Sequence, residues 1–218
     1  MPSKNIIKEY VSEAYYHVYN RGVAKQDIFL DEQDYKTFLS YLKTYLCQQD
    51  EVKKIAPTRQ LRNFYEELIL LAYCLMPNHF HLMVWQKDLN SMARFMRSIG
   101  TKYSRYFNKK YHRVGPIFQS RYKAVLVTEE NQFIYLSKYI HRNPLPVRPT
   151  RTDLVGLKRY KYSSYQNYLR LFSQTWVNCT EILSYFSKFN PKTTYKSFVE
   201  EVDERDLFLI KDVMLDFE

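Results

Sequence analysis

The sequence predicts an α+β fold: a ferredoxin-like (RRM-like) antiparallel sheet with packed helices, followed by a helical C-terminal extension. Two observations carry this. The apolar patterns over residues 14–143 run in the order β-α-β-β-α-β-α, and the two central strand-like runs are separated only by Pro77-Asn78, as neighbouring antiparallel strands are. The length of 218 residues suits one domain with an appendage.

Each element has its own signal. Residues 14–20 (Ala-Tyr-Tyr-His-Val-Tyr-Asn) are aromatic and β-branched and end at Asn20-Arg21-Gly22, a strand and its turn. From Asp31 to about Cys47, Tyr35, Phe38, Leu39, Leu42 and Leu46 recur at helical spacing, with Asp31 as N-cap. Residues 48–66 read as a polar connection. The apolar run 68–76, stopped by Pro77-Asn78, and the strand 79–85 form a buried hairpin. A second helix spans Asn90 to Phe107, Gly115-Pro116 breaks the chain, 121–128 is a strand, and 129–143 is a short helix ended by Pro144, Pro146 and Pro149. The roughly 70 residues beyond it are expected to be mostly helical.

The charge is uneven. Lys and Arg number 33 against 23 Asp and Glu, a net +10. Residues 1–96 carry 12 basic and 11 acidic side chains, 97–170 carry 16 and 3, and 171–218 carry 5 and 9. An anionic partner is implied, and the tyrosines and phenylalanines interleaved with Lys and Arg in the middle block (Tyr103, Tyr106, Phe107, Tyr111, Phe118, Tyr122, Tyr160, Tyr162, Tyr165) fit a single-stranded nucleic-acid groove, where bases stack on rings. Arg21, Arg97, Lys102, Arg105, Arg121 and Lys123 are the candidate phosphate contacts. Filling a core is the competing role for the aromatics, Tyr103 and Tyr122 included. The acidic C-terminal tail either folds over the basic surface or extends as an independent helix. Cys47, Cys74 and Cys179 form no CxxC pair, no signal-like stretch opens the chain, and no apolar run approaches a membrane span, so a soluble protein of the cytoplasm is expected, with no membrane partner.

His79-Phe80-His81 is the most informative triplet. On a strand both imidazoles share a face while Phe80 enters the other, and the pair either holds one cation or is simply half-buried. Tyr139 and Asn143 stand one turn apart on a helix. An Asn143 amide oxygen can complete a cation site, which would put the Tyr139 hydroxyl in a nucleophile's position; a core or stacking tyrosine is the alternative, and Tyr135 is the competing tyrosine one turn earlier. His112 and His141 read as surface or core histidines.

Pro77-Asn78-His79-Phe80-His81-Leu82-Met83-Val84 resembles the His-hydrophobic-His motif of the HUH single-tyrosine transposases, and Tyr139-Ile140-His141-Arg142-Asn143-Pro144 resembles their catalytic segment. Tyr16-His17-Val18-Tyr19-Asn20-Arg21-Gly22, Gly115-Pro116-Ile117-Phe118-Gln119-Ser120-Arg121-Tyr122 and Tyr160-Lys161-Tyr162-Ser163-Ser164-Tyr165 are similar to blocks of the REP-associated tyrosine transposase group. The resemblance implies a catalytic domain in residues 1–150 and an extension in 151–218. It implies a single-stranded DNA endonuclease and strand transferase that recognises hairpins, with Mg or Mn bound by His79, His81 and Asn143 and with Tyr139 attacking phosphorus to leave a 5′-phosphotyrosine. The partner is then single-stranded or hairpin DNA, the protein acting as a monomer or homodimer. Two other activities suit the same residues: a non-catalytic single-stranded nucleic-acid binding module of similar fold, and a metallonuclease that uses activated water.

Overall fold

The computed structural model describes residues 8–48, 62–146 and 149–201. Four strands, β1 (Ala14–Arg21), β2 (Leu68–Met76), β3 (His79–Gln86) and β4 (Lys123–Val127), form one antiparallel sheet in the order β2-β3-β1-β4. Helices α1 (Glu32–Leu46), α2 (Ser91–Lys110) and α3 (Glu130–Arg142) alternate with them as the sequence predicts. Strand order and helix placement are those of the ferredoxin-like fold.

The pleat divides the sheet into two faces. Tyr16, Val18, Tyr73, Leu75, Phe80, Leu82 and Val84 turn into a core shared with Phe38 and Leu42 of α1 and with Phe95, Ile99 and Tyr103 of α2. Leu71, Ala72, Cys74, Met83 and Val127 face the other way, onto Phe133, Leu136 and Ile140 of α3. A bulge between Leu70 and Ala72 shifts the register of β2 against β3 and leaves Leu71 and Ala72 on the same α3 side.

Beyond α3 the chain forms short helices, α4 (Arg151–Arg159), α5 (Tyr165–Tyr168), α6 (Thr180–Leu183) and α7 (Tyr195–Glu200). Their buried residues Leu157, Tyr165, Tyr168, Ile182, Tyr195 and Val199 join the α3 core. The Tyr160–Tyr165 block lies along the outer edge of β2: Leu75 N donates to the Tyr162 carbonyl at 2.8 Å, and Ser164 N to the Tyr73 carbonyl at 3.0 Å. That covers an edge that would otherwise present unpaired backbone groups. The acidic tail of residues 202–218, the chain start at residues 1–7 and most of the 48–66 connection lie outside the described residues. Among the described residues no helix is long and apolar enough to cross a membrane.

Most aromatics of the basic block have structural work, which corrects the expectation that they line a groove. Tyr103, Phe107 and Tyr165 are fully or almost fully buried. The Tyr103 hydroxyl donates to the Ile28 carbonyl at 2.5 Å and the Tyr160 hydroxyl to the Leu75 carbonyl at 2.6 Å, while the Tyr162 ring stacks on Tyr35 at 3.7 Å. Tyr106 and Tyr111 donate to Asp34, at 2.9 and 2.7 Å. The carriers of such a block are amphipathic elements, so polar tips and apolar bodies alternate whether or not a ligand is bound.

Two buried polar groups tie the layers together. Asp34, with no solvent exposure, also accepts from Lys110 Nζ at 2.7 Å and from Leu30 N at 2.8 Å, joining the start of α1 to the end of α2. Burial pushes its pKa up, but the Lys110 ammonium and the tyrosine hydroxyls outweigh this and hold it below the usual carboxylate value. Removing one partner of such a buried group costs several kcal/mol, so Asp34→Ala is expected to lower unfolding free energy by about 3 kcal/mol, read by urea denaturation. His141 on α3 is fully buried, with Nδ1 on the Tyr195 hydroxyl at 2.6 Å and Nε2 on the Ser164 hydroxyl at 2.8 Å. Burial pushes its pKa down to about 3. Below about pH 6.5 the unfolded chain therefore takes up a proton that the native state refuses, and stability falls as pH falls, down to about pH 3. His141→Gln is expected to flatten the decline between pH 6 and pH 5 by up to about 1.4 kcal/mol per pH unit, measured by urea unfolding at each pH.

Candidate active site on the α3 face of the sheet

The antiparallel register puts Tyr19 opposite His81 and Arg21 opposite His79, so His17, Tyr19 and Arg21 of β1 share a face with His79 and His81 of β3. Phe80 enters the opposite core. The hairpin turn ahead of His79 is held tightly: Ile28 N and Phe29 N donate to the Pro77 carbonyl at 2.8 and 2.9 Å, and Gly22 N to the Asn78 carbonyl at 2.8 Å. Residue 22 must be glycine here, because a Cβ would lie 2.0 Å from the Gln26 carbonyl oxygen.

Helix α3 lays Tyr139 and Asn143 over this face. The Tyr139 ring stands edge-on to His81, with centroids 5.5 Å apart, and to His17 at 5.9 Å. Asn143, capping α3, donates from Nδ2 to the Tyr139 carbonyl at 3.1 Å. A carbonyl only accepts, so this bond fixes the amide orientation and turns Oδ1 toward His79 Nε2, 3.3 Å away. His79 Nδ1 faces Asn78 Oδ1 at 2.6 Å. The His79 and His81 rings are 5.0 Å apart and perpendicular. Tyr135, the competing tyrosine one turn earlier, instead packs its ring against Phe198 of α7.

Both imidazoles are kept neutral. Burial lowers the His79 pKa, aided by the Arg21 guanidinium and opposed by the Asn143 amide. Burial takes His81 well below its ordinary value, with the neighbouring His79 and His17 rings adding to the effect and the Asn143 amide opposing it. A neutral imidazole is a ligand, and His81 Nε2 is a fully buried nitrogen without a hydrogen-bond partner. Together with His79 Nε2 and Asn143 Oδ1, it gives a donor set that suits a divalent cation, completed by substrate oxygens. Among the described residues no three His, Cys, Asp or Glu side chains form a metal-binding group, so the amide is essential to this set.

The candidate phosphate contacts do not form one patch. Arg21 and Lys123 belong to the tyrosine face: Arg21 lies against Gln119 Oε1 at 3.3 Å, and Lys123 Nζ lies over the Tyr19 ring at 5.9 Å. Arg97, Arg105 and Arg121 line a cleft on the opposite side of the sheet, between α2 and the 116–122 loop, together with Lys8 and Tyr122. Lys102 sits on the flank of α2 over the Tyr41 ring, at 4.8 Å. Gln119 lines the cleft and touches Arg21, which links the two sides around the rim. Sequence reasoning missed two residues that touch the imidazoles, His17 and Asn78. His17 is fully buried and places Nε2 2.8 Å from His81 Nδ1.

Residues 10–143 match the family model described as "Transposase IS200 like". No protein of curated function matches the chain. Among solved structures, a REP-associated tyrosine transposase bound to a REP hairpin aligns with a TM-score of 0.50 at 12% identity, covering 82% of this chain and 96% of that one. A proposed transposase from Deinococcus radiodurans R1 aligns with a TM-score of 0.38 at 16% identity, over 62% of this chain and 95% of that one, too loosely to bear on the argument. The family match spans every strand of the sheet and ends on Asn143, and the fold is that of the REP-associated structure: the chain belongs to the IS200-like transposase family.

Proposed function

We propose that this transposase-family protein cuts and rejoins single-stranded DNA at hairpins through a covalent bond to Tyr139, as a member of the REP-associated group. The observation that carries this reading is the convergence on one sheet face of the Tyr139 ring, the two neutral imidazoles of His79 and His81, and the Asn143 amide oxygen. A divalent ion, Mg or Mn, held by His79, His81 and Asn143 would polarise the scissile phosphate and offset charge developing there.

The protein's part is positional. Tyr139 is carried on a helix braced from behind, so its hydroxyl is delivered by a rigid element. Its oxygen attacks phosphorus, the P–O3′ bond breaks, the phenol proton leaves to solvent and the departing 3′-oxygen takes one up. The products are a 5′-phosphotyrosine and a free 3′-hydroxyl. A second 3′-hydroxyl then attacks the same phosphorus, the bond to Tyr139 breaks, and the phenol recovers a proton. One phosphodiester is exchanged for another, so no nucleotide cofactor is consumed. Arg21 and Lys123 contact phosphates near the reaction, and Arg97, Lys102, Arg105 and Arg121 hold the flanking DNA. Residues 1–150 carry the chemistry, residues 151–201 of the extension brace it, and the reaction takes place in the cytoplasm.

With hairpin oligonucleotides drawn from repeats flanking its own gene, and with Mn or Mg, the protein is expected to form a DNA adduct that maps to Tyr139 by intact mass and peptide analysis. Tyr139→Phe is expected to lower cleavage by at least about 10³-fold and to abolish the adduct. Undiminished cleavage in that variant would instead indicate attack by water, and binding with neither cleavage nor adduct would indicate a binding module. For the far-side cleft, replacing Arg97, Arg105 and Arg121 together with alanine is expected to weaken single-stranded binding and reduce the slope of log K against log salt by about 2, measured by fluorescence anisotropy.

A further inference from the structure

We propose that His17 and Asn78, neither of them a ligand, hold His81 and His79 with the ring proton on Nδ1, so that both Nε2 lone pairs face the Asn143 amide oxygen. This rests on reading His79, His81 and Asn143 as the cation's ligands. A metal-bound imidazole carries its one N–H on the nitrogen away from the cation and usually donates it to a fixed acceptor. Both rings have such a neighbour at Nδ1.

For His79 the orientation follows from backbone anchors. Asn78 Nδ2 donates to the Lys25 carbonyl at 3.2 Å, so Oδ1 is the atom that faces His79 Nδ1 at 2.6 Å. Asn143 Oδ1 is turned toward His79 Nε2 by the bond from Asn143 Nδ2 to the Tyr139 carbonyl. Two amide oxygens thus flank one ring, and a single N–H can satisfy only one of them. The contact to Asn78 is the shorter by 0.7 Å (3.3 less 2.6), and Asn78 sits on the turn secured by Gly22, Ile28 and Phe29. The proton belongs on Nδ1. Nε2 and Asn143 Oδ1 are then two lone pairs facing each other, an arrangement that a cation relieves.

For His81 the acceptor is another histidine. His17 Nε2 lies 2.8 Å from His81 Nδ1, the two rings are nearly parallel with centroids 5.1 Å apart, and both residues are fully buried. His81 Nε2 has no partner. If His17 donated instead, His81 would bury its N–H at Nε2, where it makes no hydrogen bond, the neighbouring Asn143 amide oxygen being turned to His79 Nε2, and would have no lone pair to offer a cation. With His17 accepting, the unpartnered atom is a lone pair directed at the ligand site. His17 and Asn78 are therefore positioning residues for the two ligands.

Long-range ¹H–¹⁵N correlation spectra of the full-length, metal-free protein report the tautomer of each histidine. The expected pattern is Nδ1–H for His79 and His81; an Nε2–H pattern at either would overturn the assignment for that ring, whatever happens to the variants. Mn²⁺ titrations followed by electron paramagnetic resonance supply the second readout. His17→Phe and Asn78→Ala are each expected to weaken Mn²⁺ binding about 10–100-fold, and His17→Gln, which keeps an acceptor on β1, to recover most of the loss. Equal loss in His17→Gln and His17→Phe would reduce His17 to a packing residue. Unchanged Mn²⁺ affinity in His17→Phe and Asn78→Ala, with a wild type that binds, would sink this inference alone; a wild type that binds no Mn²⁺ would sink the ligand reading beneath it.

Discussion

Register between β1 and β3 is the constraint on which the site depends. The side-chain period of a strand is two, so a slip of one residue would send His17, Tyr19 and Arg21 into the α1–α2 core and bring Tyr16 and Val18 to the α3 face. Such a slip is opposed by burial: Tyr16, Val18, Phe80, Leu82 and Val84 are almost completely enclosed, and exchanging them for imidazoles and a guanidinium would leave polar groups without partners. The hydrophobic core on one side of the sheet is thus what holds the imidazole geometry on the other. The candidate site occupies the face that the larger core leaves over.

The second constraint acts on α3. Tyr139 faces His81, whereas His141, two residues on and on the opposite side of the helix, points into the C-terminal layer. There Ser164 accepts from Tyr73 N at 2.9 Å while its hydroxyl meets His141 Nε2 at 2.8 Å. A continuous path therefore runs from the backbone of β2, through Ser164 and His141, to the helix that carries Tyr139. Tyr195 adds a second hold, bonded both to His141 and to Ser137 at 3.0 Å. Residues 151–201 clamp α3 in this arrangement, because Leu157, Tyr165, Tyr168, Ile182, Tyr195 and Val199 share its core, while Trp176 and Val177 reach the core on the other side of the sheet.

The order of strands and helices was legible in the sequence because each element carries a local signal. Asp31 caps α1 through a full capping box, and the Pro77-Asn78 stop lies between β2 and β3. The shared face of His79 and His81 and the one-turn separation of Tyr139 and Asn143 were legible for the same reason, since spacing within one strand or one helix fixes relative direction, whereas their reading as one site came from the family resemblance. His17 and Asn78 were not legible. The position of His17 beside His81 arises from pairing between strands that are more than 50 residues apart in the chain, and Asn78 reads as a turn residue because turn chemistry and ligand support draw on the same amide. Composition misled where it was used as a proxy for surface. A hydroxyl at the tip of a buried or half-buried ring can satisfy a stray carbonyl, as Tyr103, Tyr160 and Tyr168 do for Ile28, Leu75 and Leu71.

The basic charge remains to be accounted for once the tyrosines are assigned to the core. It lies on both sides of a sheet whose one face carries the candidate site and whose other face is covered by α1 and α2, so a strand that met both Lys123 and Arg97 would have to pass around the rim rather than across a flat platform. The rim offers such a passage where Gln119 N donates to the Arg21 carbonyl at 2.9 Å and the Gln119 side chain meets the Arg21 guanidinium, beside His79 and at the mouth of the α2 cleft. A flexible single strand can turn there at little cost, whereas a stiff duplex cannot. Under the proposed function, the division of charge calls for a substrate that is single-stranded where it meets Tyr139, with any paired stem confined to one side of the sheet.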